Sequence, residues 1–288
     1  MNALIIGGTR FFGIPMVNRI LANGHHVTVA TRGGHGNPFG GRVRHIIMDK
    51  TDESSVKNGI GDQEYDVVID KVAYASNDVR SLLKHAHCKR YIQMSSCAVY
   101  QTAHLWIGEH EFDTEKHGLL WMDRPADYAE GKRQAERAAL EFMDISRCTF
   151  VRFPVVMGAN DYTGRLKFYA EHIRNESPMY IDRLHTGTSY IDESEAGDFL
   201  AYLVDHPVSG AVNGCAKGTV SQKDILAYIE GKTGKKAILS NRGDPAPYNG
   251  ITADTSYDCT KAESTGYQFS AVSSWIFELL DLYLSQEH

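Results

Sequence analysis

The chain has 288 residues, 42% hydrophobic, 10% aromatic and 23% charged, the profile of a globular protein with a sizeable buried core. Its formal net charge of -6 removes any global reason to expect nucleic acid or an anionic membrane as partner. No run approaches the roughly 18 apolar residues that span a bilayer, the N-terminus lacks a basic flank followed by an apolar stretch, and five scattered cysteines without a C-x-x-C read as reduced thiols of a cytoplasmic protein.

In chain order, residues 2–6 (NALII) read as a strand and 14–23 as a helix closed by Gly24. A second strand fits 26–31, a glycine-rich loop 33–41 and a third strand 43–48. Helical spacing follows at 53–59 and 77–87, interleaved with strands at 66–70 and 90–95. A strong helix covers 128–144, and a strand at 148–153 stops at Pro154. The rhythm then loosens. Helices are expected near 164–175 and at 194–205, 221–232 and 271–285, short strands near 188–191 and 211–214, and a surface loop over 240–256. Alternating strands and helices, with strands apolar on both faces, predict an α/β fold: a Rossmann-like, doubly wound parallel sheet. The expected division is a dinucleotide-binding part over 1–153, joined by about 186–216, and a smaller, interleaved substrate-binding part within 154–288. Ligands should bind between the two, at the carboxyl ends of the strands. The thirteen histidines form no H-E-x-x-H, and His85 and His87 are spaced wrongly for a helical ligand pair, so no metal site is expected.

The stretch LIIGGTRFFG, residues 4–13, runs from a strand through a glycine turn into a helix. That context is what a pyrophosphate-binding loop needs: amides and a helix dipole pointing at an anion. Gly7, Thr9, Arg10, Phe11, Phe12 and Gly13 are the candidate loop contacts. NAD sites usually place an acid at the end of the second strand for the ribose 2′-hydroxyl. Here the strand ends Ala30-Thr31-Arg32, and residues 1–48 hold five arginines and no Asp or Glu. Arg32, with Arg10 beside it, would suit a 2′-phosphate, which favours NADP(H) over NAD(H). Asp49 would accept from the adenine amino group or cap the helix begun by TDESSV.

Tyr128 and Lys132 lie four apart on a helix and share a face. An ammonium close to a phenol favours phenolate, which would let Tyr128 act as general acid or base. Ser95 and Ser96, in YIQMSSCAVY, stand just past a strand at the same sheet edge. A serine there can hydrogen-bond the substrate oxygen whose proton the tyrosine exchanges.

With these three signals in order, the chain resembles the extended short-chain dehydrogenase/reductases of the NAD-dependent epimerase/dehydratase type. The family's Ser/Thr–Tyr–Lys triad falls on Ser96, Tyr128 and Lys132, and the Val99-Tyr100 pair selects Ser96 over Ser95. VRFPVVMGAND, 151–161, resembles the R-x-P-x-x-x-G segment that lies beside the nicotinamide, and 189–215 resembles a later strand–helix–strand block. The resemblance implies hydride transfer with Tyr128 as proton donor or acceptor, Lys132 on the nicotinamide ribose, and further cofactor contacts from Ala73, Phe153 and Val155. The substrate would be a small carbonyl or alcohol, sugar-like or a nucleotide sugar, met by Tyr74, Tyr100, Trp121, Tyr162 and Arg165.

Three departures qualify it. Arg10 replaces the middle glycine of G-x-x-G-x-x-G, as in a subgroup that includes chloroplast stem-loop RNA-binding proteins. Cys97 and Ala98 stand where sugar dehydratases carry Asp-Glu, which argues against dehydration. The chain is also short for a nucleotide-sugar epimerase. Epimerase and reductase both remain open, with a catalytically inactive cofactor-sensing or RNA-associated protein as the rival reading. Ala135, Ala138, Ala139 and Phe142 along the Tyr–Lys helix suit either a homodimer contact or burial within one chain.

Overall fold

The computed structural model describes residues 1–286. Its strands are β1 (Asn2–Ile6), β2 (His26–Thr31), β3 (Arg44–Ile47), β4 (Glu64–Asp70), β5 (His87–Met94), β6 (Cys148–Arg152), β7 (Val155–Met157), β8 (Met179–Tyr180), β9 (Gly187–Thr188), β10 (Tyr190–Asp192), β11 (Gly210–Asn213), β12 (Val220–Ser221) and β13 (Asp244–Pro245). Its α-helices are α1 (Gly13–Ala22), α2 (Glu53–Ile60), α3 (Ser76–Leu83), α4 (Tyr128–Ala139), α5 (Arg165–Arg174), α6 (Glu193–Asp205), α7 (Gln222–Thr233), α8 (Thr260–Glu263) and α9 (Ile276–Ser285).

Seven strands form one sheet in the order β3-β2-β1-β4-β5-β6-β11, parallel throughout. Both faces are covered, so side chains alternate between two apolar cores rather than between core and water. Along β1, Ala3 and Ile5 join α1 and α6 in one core, while Leu4 and Ile6 join α2, α3 and α4 in the other. The expected doubly wound α/β architecture is therefore present. A third core holds α5, α7 and α9, built around Tyr169, Ile225 and Leu280. The chain leaves the sheet after β6 and returns through α6 to β11.

The elements sit close to their expected places, and the differences have local causes. Strand β5 starts at His87 rather than 90, because Glu64 and Tyr65 of β4 pair with His87 and Cys88; pairing, not hydrophobicity, extends it. Helix α4 ends at Ala139 rather than 144, where the amides of Leu140, Glu141 and Phe142 reach back only three residues. The expected helix over 271–285 is split into a 3₁₀ turn, Val272–Ser274, and α9. Asp52 caps α2, accepting from the Ser54 amide at 2.9 Å, which removes the capping alternative for Asp49.

Ala135, Ala138 and Ala139 are fully buried with α3 and the sheet of the same chain. The face that suited a homodimer is thus already covered, because alanines there let α4 lie close to its own sheet. Among the described residues no helix is long and apolar enough to cross a membrane.

Candidate functional site

The sheet changes winding direction beside β1, which pairs with both β2 and β4, and that is where a doubly wound sheet opens a crevice. A cleft of about 660 Å³ lies there, between the strand ends and the C-terminal part of the chain.

The glycine loop forms one wall. Gly7 adopts φ +73°, and a Cβ on it would stand 2.9 Å from Val72 Cγ1. A Cβ on Gly13 would meet the Gly8 carbonyl oxygen at 2.7 Å, so α1 can start this close to β1 only with glycine there. Position 10 carries no such requirement. The left-handed turn falls instead on Phe11, at φ +52°, whose ring packs edge-on against Phe12 and Tyr162. The N-terminus of α1 has no side-chain cap and no acid in its first turn. Among the described residues the amides of Gly8 through Phe12 find no protein acceptor. Open amides on a helix N-terminus fit the pyrophosphate of a dinucleotide.

Arg10 extends over the loop. Its guanidinium lies 3.9 Å from the Tyr162 ring centroid and 3.0 Å from His35 Nε2, in the segment after β2. Arg32 is exposed. Asp49 is half-buried; hydrogen bonds from Thr51, with a smaller contribution from Arg32, hold its carboxyl below the ordinary range.

The three triad residues come together on the facing wall. Ser96 follows β5 and accepts from the Ala98 amide at 3.2 Å. Asp127 caps α4 through the amides of Ala129 and Glu130, which fixes Tyr128 as the first helical residue. Burial pushes the Tyr128 phenol up to about 12, partly countered by the neighbouring Ser96 hydroxyl. Lys132, one turn on, is fully buried and donates to Ala73 O at 2.7 Å and Met94 O at 3.0 Å, at the ends of β4 and β5. Its ammonium is 5.7 Å from the Tyr128 ring centroid, and burial pulls it down to about 7. The expected lowering of the tyrosine by the lysine is therefore corrected. Desolvation dominates at both groups, and the lysine is held by two carbonyls.

Ser95 is not interchangeable with Ser96. It is buried and donates to Glu136, part of a closed network around Arg152. Arg152 is likewise taken up by that network, while its neighbours Phe153 and Val155 line the cleft.

Of the substrate candidates, Tyr74, Tyr162 and Arg165 line the cleft. Tyr100 reaches its edge, but its hydroxyl is committed to Asn213 at 2.5 Å and receives Arg152 at 3.2 Å. Trp121 is misplaced: it stands 42% exposed, with Arg80 and Phe142 as its partners, outside the cleft. Sequence reasoning missed Lys71, Ser189, Tyr257 and the 249–252 turn, all of which line the cleft. The last belongs to the Gly-, Pro- and Asn-rich stretch read as a plain surface loop, and only its composition hinted at a ligand-facing role.

Residues 3–85 match the model of the NAD dependent epimerase/dehydratase family. A segment of 111 residues is 31% identical to the chloroplast stem-loop binding protein of 41 kDa b of Arabidopsis thaliana, covering 34% of this chain and 29% of that protein. Among solved structures, a UDP-glucose 4-epimerase from Thermotoga maritima, with UDP-glucose, superposes with a TM-score of 0.77 at 17% identity, covering 98% of each chain. A UDP-glucuronic acid 4-epimerase from Bacillus cereus, in complex with NAD, gives a TM-score of 0.73 at 17% identity, over 99% of this chain and 100% of that one. At such identities these two likenesses speak for the fold. The family-model match is confined to residues 3–85, and the likeness to these solved structures, which runs over the whole chain, shows the fold.

Proposed function

We propose that the protein is an NAD(P)-dependent epimerase or reductase of the extended short-chain dehydrogenase type, acting on a sugar-like alcohol or carbonyl, most simply a nucleotide sugar. The observation that carries the reading is the meeting of Ser96, Tyr128 and Lys132 at the strand ends, across one cleft from an uncapped helix N-terminus. A bound nicotinamide would supply the hydride chemistry. The chain supplies the rest. Tyr128 Oη exchanges the proton of the reacting oxygen, the Ser96 hydroxyl donates to that oxygen, and Lys132 reaches the ribose from its seat on Ala73 O and Met94 O. Cys97, whose thiol donates to Arg152 O at 3.3 Å, and Ala98 offer no acid for dehydration. The solved relatives with UDP-glucose and with NAD support the substrate and cofactor classes.

Within that reading we favour NADP(H), although the Bacillus cereus relative was solved with NAD. Arg32 follows β2 and is exposed, and Arg10 reaches His35 in the segment after β2, so two arginines stand near where the adenosine ribose would sit, with the half-buried Asp49 as the acid that feels Arg32. A thermal-shift panel tests this, since a ligand that binds only the folded state at a hundred times its Kd adds about 2.7 kcal/mol. NADPH should outdo NADH, and Arg32→Ala should weaken NADPH about tenfold while sparing NADH. Equal loss of both would remove the assignment of Arg32 to a 2′-phosphate.

The stem-loop binding relative keeps an RNA-associated reading in view. RNA affinity that falls steeply with salt, without a shift by either dinucleotide, would favour it.

A further inference from the structure

Lys71 is a cation without a counter-ion in a place where lysine is costly. Strand β4 arrives fully buried through Val67, Val68 and Ile69, and Asp70 next to it is equally buried. That aspartate is unavailable to Lys71: Lys50 and Tyr91 hold its carboxylate. Lys71 turns the other way, into the cleft. Its ammonium lies 4.0 Å from the Phe12 ring centroid and 3.4 Å from Arg10 O, both parts of the glycine loop. Among the described residues no carboxylate lies within salt-bridge distance of it. Burial, with the like charge of Arg10, pulls its ammonium down to about 8.

Three sources of positive potential therefore converge without compensation: the N-terminus of α1, the unpaired loop amides and Lys71. An unpaired, half-desolvated charge is retained at a cost that an anion would offset. A methionine would fill the same slot against Phe12 without that cost. We propose that Lys71 binds the pyrophosphate of the dinucleotide, supplying from the end of β4 a charge that the open amides of the glycine loop do not carry. The assignment rests on the dinucleotide reading above and deepens it. A nucleotide-sugar diphosphate has the same chemistry, but the lysine touches the glycine loop itself, which favours the cofactor.

The test is calorimetric binding of ADP-ribose, UDP and adenosine to the full chain and to Lys71→Met and Lys71→Arg. Losing a charge-assisted contact should weaken ADP-ribose about ten- to a hundredfold in Lys71→Met, leave adenosine unchanged, and be largely restored in Lys71→Arg. The ligand-free melting temperature of Lys71→Met should be equal or higher, which a purely structural lysine would not give. ADP-ribose affinity within twofold of the unmodified protein, or a loss confined to UDP, overturns the assignment of Lys71 alone. No ADP-ribose binding by the unmodified protein overturns the dinucleotide reading, and the assignment with it.

Discussion

Tyr128→Phe should lower turnover by about 10²- to 10⁴-fold and leave dinucleotide affinity unchanged. The substitution removes one oxygen and keeps a ring that is 42% exposed at the cleft, so little packing is at stake. What is lost is the group that, in the proposed mechanism, exchanges a proton with the substrate oxygen beside Ser96. Burial keeps the phenol protonated at neutral pH, with its pKa near 12, so it is poised as a donor and does not itself bend the profile between pH 6 and about 9. Lys132 does. Its ammonium, brought down to about 7, is fully populated only below that pH and is lost as pH rises through it. The ammonium has three donors, enough for Ala73 O, Met94 O and a ribose hydroxyl together; the neutral amine has one fewer. An alkaline fall in kcat/KM beginning near 7 is therefore expected, and Lys132→Arg should move it upward. Retained turnover in Tyr128→Phe sinks the proton-transfer assignment; an unmoved limb in Lys132→Arg sinks the lysine's.

Glu136→Ala should cost about 3–5 kcal/mol of folding stability, the penalty of leaving a buried charge unpaired. Arg152 and Glu136 are both fully buried and meet through two bonds, Nε to Oε1 at 3.0 Å and a terminal nitrogen to Oε2 at 2.8 Å. The three remaining guanidinium hydrogens are shared among Glu109 O, Phe112 O, Tyr100 Oη and Thr114 Oγ1, so the arginine ties β6 to the segment before α4. Removing the carboxylate also frees Ser95 and Thr114, which donate to it. The double change Glu136→Leu with Arg152→Met should recover a large part of the loss, because an apolar pair of similar volume avoids the desolvation of both ions. Urea unfolding of the two variants checks this. A single-variant loss under 1 kcal/mol, or no recovery in the double variant, contradicts the account.

The fold was largely legible because its signals are local. A run such as Asp66–Ile69, or the passage from Leu4 to Gly13, states its structure within ten residues. The placement of Ser96, Tyr128 and Lys132 at one sheet edge was legible for a related reason: a spacing of four on a helix and a serine just past a strand fix positions by short-range geometry. Arg10 was legible as a departure but not in its contacts, since Tyr162 and His35 meet it across long stretches of chain. Trp121 was misread because an aromatic ahead of α4 gives no sign of which way it turns, and it packs against Phe142, away from the cleft. The electrostatics were misjudged where they depended on burial. Proximity on a helix suggested that Lys132 would lower Tyr128, but the lysine is fully buried and tied to two carbonyls, and desolvation of the phenol at the cleft wall outweighs it.

By itself, then, the sequence determined the doubly wound sheet, the glycine loop and the order of Ser96, Tyr128 and Lys132, because each depends on side-chain periodicity or on backbone freedom a few residues wide. Only the tertiary structure decided which charges are paired. Asp70 goes to Lys50 and not to its neighbour Lys71, Glu136 goes to Arg152, and the alanine face of α4 is covered by its own sheet. Those outcomes depend on which distant segments reach the same point and how much water they exclude, and that is set by long-range packing.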